Sequence, residues 1–439
     1  MSSQKAEPRL KWSRARSLFR RNIPAASVAG VLSLTTGVAH AGGYDTPMLY
    51  TARHLGMGGA AIGYVHDPSA LFHNPAGLAD VEHVAALADF SLLLGGLHSS
   101  PNVTTRNVDS ELTVAPFFMV AGAFRLTPWL SAGLGMFPIA SAGATYKYGA
   151  PGYEDHTSLL FVEGTPALAA KLGKQVSIGL GYRITFVRLE RYTGNRDDGS
   201  TPFLDFKLAG YNFASFRAGL KYTPTKRLQL GLVYRQKATT HVTDEMGIAL
   251  RAAYRDVSTD FVLPTKFGAG VRYDFDDVGP HLGAAVDVEY SLNSENAGSP
   301  LRGTPLGSDS EVAVPNVFGW KNSVTVRVGA EYRLLYDAAI DRDRLALRAG
   351  YVYDSRVANR QYPTAFGTPP SATQVVTAGA GYDFGRWQSN VALAYRFGSA
   401  TITPADLNAP GRKDCAFCGA SGDYSIHLTG IYLDASYAF

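Results

Sequence analysis

The chain has 439 residues and is rich in glycine and aromatic residues, with 46 Gly, 24 Tyr and 22 Phe against 6 Met. Its formal net charge of +4 arises at the N terminus, where residues 1–41 contain seven Lys or Arg and one acid, Glu7. The remainder is therefore near 4 minus 6, or −2. Without that basic segment, nothing in the charge supports nucleic-acid binding, which requires a basic face. After residue 41, the sequence contains no run of 18 apolar residues, so no transmembrane helix is predicted there.

Residues 1–41 have the three parts of a signal peptide. Basic residues precede an apolar run over residues 23–38, which ends at Ala39-His40-Ala41. Small residues at the −3 and −1 positions predict cleavage after Ala41. The run is too short to span a bilayer, and an uncleaved interfacial anchor is the alternative. The sequence therefore predicts an exported protein.

Residues 42–84 do not alternate and are predicted to form a plug inside a barrel. They contain a glycine-rich run at 56–63 and a second motif at 67–79. The segment is too small to fold alone, but strand residues facing a lumen can satisfy its polar groups. The glycines approach a dinucleotide-binding pattern, which requires a preceding strand and a following helix. We interpret them instead as sites of close backbone packing.

Four histidines lie in or beside this segment: His54, His66, His73 and His83. They could bind a metal or supply a catalytic base near Asp67, but no nucleophile with a fixed partner accompanies them. We interpret them as polar residues whose hydrogen-bonding groups are satisfied inside the lumen. The sequence predicts no metal site and no cofactor.

From residue 85 to residue 439, stretches of alternating apolar and polar residues are separated by turns. In residues 323–334, Val324 and Val328 fall on one face, whereas Arg327 and Glu331 fall on the other. A period of two predicts a strand with one apolar face. For an exported membrane protein without transmembrane helices, a closed barrel satisfies the backbone hydrogen bonds. We predict an all-β transmembrane antiparallel barrel of about fourteen strands.

Short and long connections alternate along this barrel. Short turns are predicted near residues 125–129, 173–174, 223–227, 275–281, 335–343 and 384–388, and long loops near 98–111, 139–162, 191–203, 242–263, 292–322, 355–372 and 399–423. This layout is typical of an outer-membrane barrel with its short turns in the periplasm. Tyr and Phe recur at strand ends, where they are interpreted as interfacial girdles. An aromatic core is the alternative.

Two strands break the rule that inward-facing residues are polar. Both of their faces are apolar, and the residues concerned are Phe90, Leu92, Leu94, Phe117, Phe118 and Met119. An apolar inner wall suits an apolar ligand, so these residues are predicted to line a ligand site. The alternative is a bulge or register shift that exposes both sets to lipid.

Several motifs follow one another in a recognisable order. They are the glycine-rich run, Asn74-Pro75-Ala76, Leu263-Pro264, Trp320-Lys321-Asn322, the stretches 327–332 and 347–355, and the terminal Tyr437-Ala438-Phe439. Together they resemble the FadL family (OMPP1/FadL/TodX), outer-membrane transporters of long-chain fatty acids and, in some members, aromatic hydrocarbons. The chain departs from the family at Arg356-Val357, where a proline is usual, and in the loops 355–372 and 399–423.

The resemblance implies a passive, non-enzymatic transporter of hydrophobic compounds in the bacterial outer membrane, with long-chain fatty acids as the expected ligand. It implies a hatch and gating role for Asn74, Pro75 and Ala76. Family barrels also have a kinked third strand that opens the wall sideways. Gly133, Gly135 and Pro138 would mark that opening here, since proline is expected in a strand only at an edge, bulge or kink.

The last strand, residues 431–439, resembles the C-terminal signature of outer-membrane proteins. That resemblance implies recognition by the barrel-assembly machinery. Outer-membrane lipid and lipopolysaccharide are the expected surroundings, and no nucleic-acid partner is expected. An adhesive barrel acting through its long loops is one alternative function, and a barrel hydrolase is another.

Cys415 and Cys418 are the two cysteines of the chain and lie in a loop predicted to be extracellular. Two thiols cannot complete a structural zinc site. Export to an oxidising compartment favours a local disulfide between them. Free thiols or an intermolecular pair are the alternatives.

Overall fold

The computed structural model describes residues 51–275, 282–337 and 342–439. The predicted signal peptide and residues 42–50 of the predicted plug lie outside the described residues. Short helical elements are α1 Ala52–Leu55, α2 Ala70–His73 and α3 Pro404–Leu407, with 3₁₀ turns at Pro75–Asp80 and Asn293–Glu295. No helix in these described ranges is long and apolar enough to cross a membrane.

The strands form one antiparallel sheet. They are β1 Val84–Ser99, β2 Val108–Asp109, β3 Thr113–Thr127, β4 Leu130–Lys147, β5 Tyr153–Leu172, β6 Val176–Asn195, β7 Leu204–Tyr222, β8 Leu228–Arg235, β9 Ala238–Ala249 and β10 Ala252–Leu263. The remainder are β11 Lys266–Phe275, β12 Leu282–Ser291, β13 Leu301–Pro305, β14 Val312–Val314, β15 Ser323–Asp337, β16 Arg342–Asp354, β17 Thr373–Asp383, β18 Trp387–Ile402 and β19 Gly422–Ala438.

The sheet closes on itself, because β19 pairs with β1 from Ala85↔Ala438 to His98↔Ser425. Four wall strands are interrupted, and each consists of two consecutive elements: β8 with β9, β10 with β11, β12 with β13, and β14 with β15. The break between β10 and β11 falls at Pro264, which has no N–H to donate to a neighbouring strand. Counted in this way, and with β2 as a short addition to β1, the described strands make a fourteen-stranded wall. The predicted fold class is confirmed.

Alternation divides the side chains between lipid and lumen. In β15, Val324 and Val328 are exposed on the outer face, whereas Arg327 and Glu331 are buried inside. β12 follows the same rule, since Val286 and Val288 face outward and Asp287 faces inward. Polar and charged groups are thereby concentrated in the lumen, where they can pair with one another.

The predictions of long loops at 139–162 and 242–263 were wrong. β4 and β5 are joined by the short turn 148–152, and β9 and β10 are joined by residues 250–251. These hairpins continue beyond the region where lipid requires an apolar outer face. His241 and Asp260, for example, are paired across the β9–β10 hairpin and exposed. Strands of this kind lack the alternation that identifies a lipid-facing strand.

Candidate transport site

Residues 51–81, here called the lumen segment, lie inside the barrel near the end that carries the short turns. α1 contacts β17, β18 and β19, whereas the 3₁₀ turn Pro75–Asp80 contacts β4, β5, β6 and β7. The segment therefore reaches from one side of the wall to the other. Leu55, Leu71 and Leu78 are among its fully buried side chains.

Three wall carboxylates hold the backbone of the lumen segment. Asp89 accepts a hydrogen bond from the N–H of Ala52 at 3.2 Å, and Asp434 accepts one from the N–H of Arg53 at 2.8 Å. Across the barrel, Asp287 Oδ2 accepts from the N–H groups of Ala61 and Ile62 at 2.7 and 3.0 Å. Each of these bonds gives a buried backbone N–H an acceptor, which avoids the cost of burying that group unpaired. These carboxylates fix the segment at two opposite points.

Basic wall residues bind the carbonyl side of the same segment. Lys221 Nζ lies 3.4 and 3.3 Å from the carbonyl oxygens of Tyr64 and Val65, and 2.7 Å from Asp80 Oδ2. Arg217 donates to the carbonyl of Leu71 and pairs with buried Glu163 at 3.1 Å. These basic residues therefore bind the lumen segment through the carbonyls of Tyr64, Val65 and Leu71 and through the side chain of Asp80.

Asn74-Pro75-Ala76 docks directly on the wall. The amide of Asn74 donates to the carbonyls of Ile62 and Leu220 at 2.8 and 3.1 Å, and its oxygen accepts from the N–H of Ala76 at 3.2 Å. A Cβ built at Gly219 would lie 2.0 Å from the Asn74 side-chain oxygen. Only a glycine at that wall position leaves room for the motif. Its gating role stays a prediction.

The four histidines do not share one site. His54 is fully buried, with Nδ1 3.1 Å from the Tyr64 hydroxyl and Nε2 3.5 Å from Asp67. Its ring meets that of His73 edge-on at 4.9 Å, whereas His83 is exposed beside the start of β1. Burial lowers the pKa of His54, although Asp67 acts to raise it. Among the described residues, no group of three or more His, Cys, Asp or Glu side chains is placed to hold a metal ion.

An apolar cavity lies above the lumen segment and is here called the inner cavity. It contains about 1100 Å³ of empty space, part of which is open to solvent. Leu55 of α1 forms its floor, and Leu93, Leu97 and Phe117 contribute to its wall. Arg396 is the one charged residue among its described lining residues, and it is paired with Asp354 at 3.3 Å. The cavity therefore offers mainly apolar surface.

The wall beside this cavity has a window between β3 and β4. Their ladder runs only from Thr127↔Leu130 to Val120↔Met136, although β4 continues to Lys147 in pairing with β5. Beyond this gap, the residues just before β3 contact β4 again, where the N–H of Glu111 donates to the carbonyl of Thr145 at 2.7 Å. Between these points the inner cavity is lined by three residues of β3 and three of β4: Thr113, Ala115, Phe117, Ser141, Ala142 and Gly143. The inner cavity therefore lies directly behind the part of the wall where β3 and β4 are not paired.

The three residues predicted to mark a lateral opening lie at two different places in β4. Pro138 lies just past the last β3–β4 pair, at a register shift in the β4–β5 ladder. Gly133 and Gly135 lie earlier, within the paired part, where added Cβ atoms would meet Leu78 at 3.1 Å and Leu71 at 2.9 Å. These two glycines make room for the lumen segment. Only Pro138 borders the window.

The six residues predicted to form an apolar ligand wall occupy both faces. Phe90 and Phe118 pair across β1 and β3, and are 49% and 40% exposed on the outer face. Leu92 and Leu94 lie two and four residues after Phe90 in β1 and so share its outward face. Four of the six predicted residues, Phe90, Leu92, Leu94 and Phe118, therefore face outward, and the prediction that they line a ligand site was wrong. Phe117 and Met119 are buried inward, and Phe117 lines the inner cavity. When both faces of a strand are apolar, alternation cannot identify the inner one.

A second apolar cavity, here called the outer cavity, lies towards the long loops and contains about 940 Å³ of empty space. Its described lining is rich in aromatic residues: Phe206, Phe261, Phe318, Trp320, Tyr362, Phe366 and Phe417. Cys415 and Cys418 are joined in a disulfide. This bond closes the turn that carries Phe417 to the cavity.

Comparison with known proteins agrees with this arrangement. A family model described as outer membrane protein transport protein (OMPP1/FadL/TodX) matches residues 32–406. A comparison with curated proteins gave no significant match.

Solved structures share the fold at low sequence identity. A FadL homologue from Pseudomonas aeruginosa is 16% identical, with a TM-score of 0.70 over 91% of this chain and 100% of that chain. The toluene transporter TodX from Pseudomonas putida is 15% identical, with a TM-score of 0.65 over 92% of this chain and 100% of that one. The Ralstonia pickettii toluene transporter TbuX is 16% identical, with a TM-score of 0.62 over 89% and 98%.

Proposed function

The chain belongs to the outer-membrane protein transport family OMPP1/FadL/TodX, and from this membership we propose that it carries long-chain fatty acids passively across the outer membrane. The family consists of transport channels for hydrophobic compounds and not of enzymes. A hydrolase function is therefore set aside. Beyond family membership, we propose the ligand, its route through the barrel and the passive mode of transport.

The coincidence of the inner cavity with the β3–β4 window carries the proposal. A hydrophobic compound that enters from the loop end loses contact with water in the inner cavity, where each buried CH₂ group contributes about 0.8 kcal/mol. From there the window offers a path into the lipid that avoids the polar mouth beyond the lumen segment. That mouth is lined by charged residues such as Arg53, Arg333 and Arg386. Lateral exit therefore keeps the ligand in apolar surroundings.

The lumen segment acts in this proposal as a hatch, with Asn74-Pro75-Ala76 as its fixed edge. It separates the inner cavity from the charged mouth and prevents free passage of polar solutes. Leu55 touches the inner cavity, whereas Asn74 contacts the wall at Leu220. One short segment thus seals the barrel and forms the floor of the ligand site.

Long-chain fatty acids suit the lining of the inner cavity. Their tails match its aliphatic and aromatic wall, and their head groups can approach Arg396 with the hydroxyls of Ser91 and Thr368. Because Arg396 is already paired with Asp354, the head group adds to a neutralised pair. Affinity is therefore expected to depend mainly on tail length. Toluene, named for two structural neighbours, is the comparison ligand.

The surroundings of the barrel complete the proposal. Exposed aliphatic and aromatic side chains on the outer face would contact outer-membrane lipid and lipopolysaccharide. The last strand leaves Leu433 and Phe439 exposed, 50% and 62% respectively, and would be read by the barrel-assembly machinery. Deleting Phe439 should lower the amount of assembled barrel in the membrane without changing uptake per folded molecule.

The test combines bound lipid with uptake. Extraction of the purified folded protein, followed by mass spectrometry, should identify a co-purified hydrophobic compound. Cells lacking the protein should take up this compound slowly, and the wild-type chain should restore uptake. Asn74→Ala should alter uptake, because the carbonyls of Ile62 and Leu220 lose their donor at a cost of about 1–3 kcal/mol. A consistently empty barrel, together with normal fatty-acid uptake in cells without it, would refute the proposal.

A further inference from the structure

The outer and inner cavities meet at a small set of shared residues. Ala142, Phe366 and Gly367 line both cavities. Ala142 and Gly367 have almost no side chain, so the ring of Phe366 is the large group between the two spaces. This ring is only 9% exposed.

The ring of Phe366 is held on two sides. The guanidinium carbon of Arg191 lies 4.0 Å from the ring centroid, and the ring of Tyr146 meets it edge-on at 5.5 Å. Arg191 is itself held by Asp155 at 3.4 Å and by a hydrogen bond to Thr157. A guanidinium at this distance over an aromatic face is attractive, more so when it is shielded from water.

The backbone beside the ring is held by hydrogen bonds that do not involve the ring, one of them from the hydroxyl of Tyr146, whose own ring contacts Phe366. The hydroxyl of fully buried Tyr146 donates to the carbonyl of Ala365 at 2.6 Å and accepts from Ser99 at 2.9 Å. The N–H of Phe366 donates to Thr364 Oγ1 at 3.3 Å. The side chain can therefore rotate away from Arg191 while its loop stays in place.

We propose that Phe366 is the specificity-determining residue between the two cavities, and that Arg191 is a positioning residue that holds its ring across the passage. The inference rests on the proposed transport function and deepens it. A straight alkyl chain needs only a narrow gap beside the ring. A ligand that ends in a wide fused-ring group requires the ring to move fully, which breaks the contact with Arg191. Phe366 thus selects ligands by cross-section.

The experiment compares two fatty acids with the same head group, palmitate and a pyrene-tailed fatty acid of similar length. Their uptake is measured in whole cells that lack the native protein and produce wild-type or variant chains. Phe366→Ala should raise uptake of the pyrene-tailed acid relative to palmitate, and Phe366→Tyr should keep the wild-type ratio. Arg191→Gln should raise the ratio by about 2- to 30-fold, the range that a lost cation–π contact allows.

Phe417→Ala is the matched control, because Phe417 lines the outer cavity but not the inner one. It can lower uptake of both acids while leaving their ratio as in the wild type. Folding of each variant is checked by the heat-dependent gel shift of the barrel, and Phe366→Leu serves if Phe366→Ala does not assemble. A wild-type ratio in a folded Phe366→Ala or Phe366→Leu barrel would overturn the inference. No wild-type uptake of either acid would overturn the proposed transport function, and this inference with it.

Discussion

The two halves of the lumen are built from the same strands but have opposite chemistry. In the half near the short turns, wall glycines and charged residues hold the lumen segment, which borders an open mouth lined by charged residues. In the half near the long loops, apolar side chains leave two cavities open. β1 shows the change within one strand, because Asp89 holds the lumen segment and Leu93 lines the inner cavity. One strand can therefore hold the lumen segment with one part of its length and line an apolar cavity with the next.

The largest expected effect comes from filling the seat of the lumen segment. Gly219→Val would place side-chain atoms where the Asn74 oxygen lies, since a Cβ alone would be 2.0 Å from it. Overpacking costs about 1–3 kcal/mol or more, which corresponds to an about 5- to 150-fold shift away from the seated segment. Entry of a small polar antibiotic into cells measures the resulting leak.

Gly122→Val is the matched control for that experiment. Gly122 lies in β3, and the nearest atom to an added Cβ is the Ala85 carbonyl oxygen at 3.8 Å. This variant should assemble and remain sealed. Equal leakage from both variants would show that the seal does not depend on the close fit at Gly219.

Removing a wall carboxylate should have a comparable effect in the same direction. Asp287→Ala removes the acceptor of two backbone N–H groups, those of Ala61 and Ile62. Hydrogen bonds to charged groups contribute about 1.5–3 kcal/mol. Hydrogen exchange should accelerate at these two amides. Asp260→Ala, at an exposed pair with His241 on the outer face, should leave it unchanged.

The next prediction concerns the window in the half of the barrel near the long loops. Pro138→Val supplies a backbone N–H at the lower edge of the window and should extend the β3–β4 ladder. One added hydrogen bond contributes about 0.5–1.5 kcal/mol, so uptake should fall by about two- to tenfold while the barrel still assembles. Pro166→Val, at an exposed position of β5, is the control and should keep normal uptake. If Pro138→Val also transports normally, the window is not the exit.

The smallest expected effect is a response to pH through His54. Burial lowers the pKa of His54 while the lumen segment is bound to the wall, whereas the imidazole of a released segment would titrate near the ordinary value of about 6.5. Acid therefore favours release, because the released state binds the proton more readily. Through His54 alone, release should increase by at most about twofold between pH 7.5 and 6.5, and this contribution is the difference between the wild type and His54→Gln. His54→Gln should reduce this response in the leak assay, whereas His83→Gln, at an exposed position, should retain it.

Much of the fold was predictable because lipid imposes a period of two. Arg327 and Glu331 face the lumen as expected, and the chain closes at its last strand. Prediction failed where that constraint ends. Beyond the lipid, hairpins such as β9–β10 carry polar residues on their outer face, so their sequence resembles that of a loop. The breaks within wall strands give no periodic signal either, apart from Pro264.

The site was less predictable, because its contacts join residues that are remote in sequence. Arg53 meets Asp434, and Asn74 fits against Gly219. The alternation of apolar and polar residues predicted that Asp287 faces inward, but it could not predict that Asp287 accepts hydrogen bonds from Ala61 and Ile62. Phe90 and Phe118 were misplaced because both faces of their strands are apolar. The inner cavity depends on where two strands separate, which single-strand patterns do not encode.

The most direct test of the proposed route is a contact map of the ligand in transit. A long-chain fatty acid with a photoreactive diazirine in its tail can be cross-linked to the protein in intact outer membranes, and the adducts located by mass spectrometry. Lateral transport predicts adducts at window residues, chiefly Ala115, Phe117 and Ala142, that decrease in Pro138→Val. Adducts confined to the charged mouth around Arg333 and Arg386, with none at the window, would contradict it.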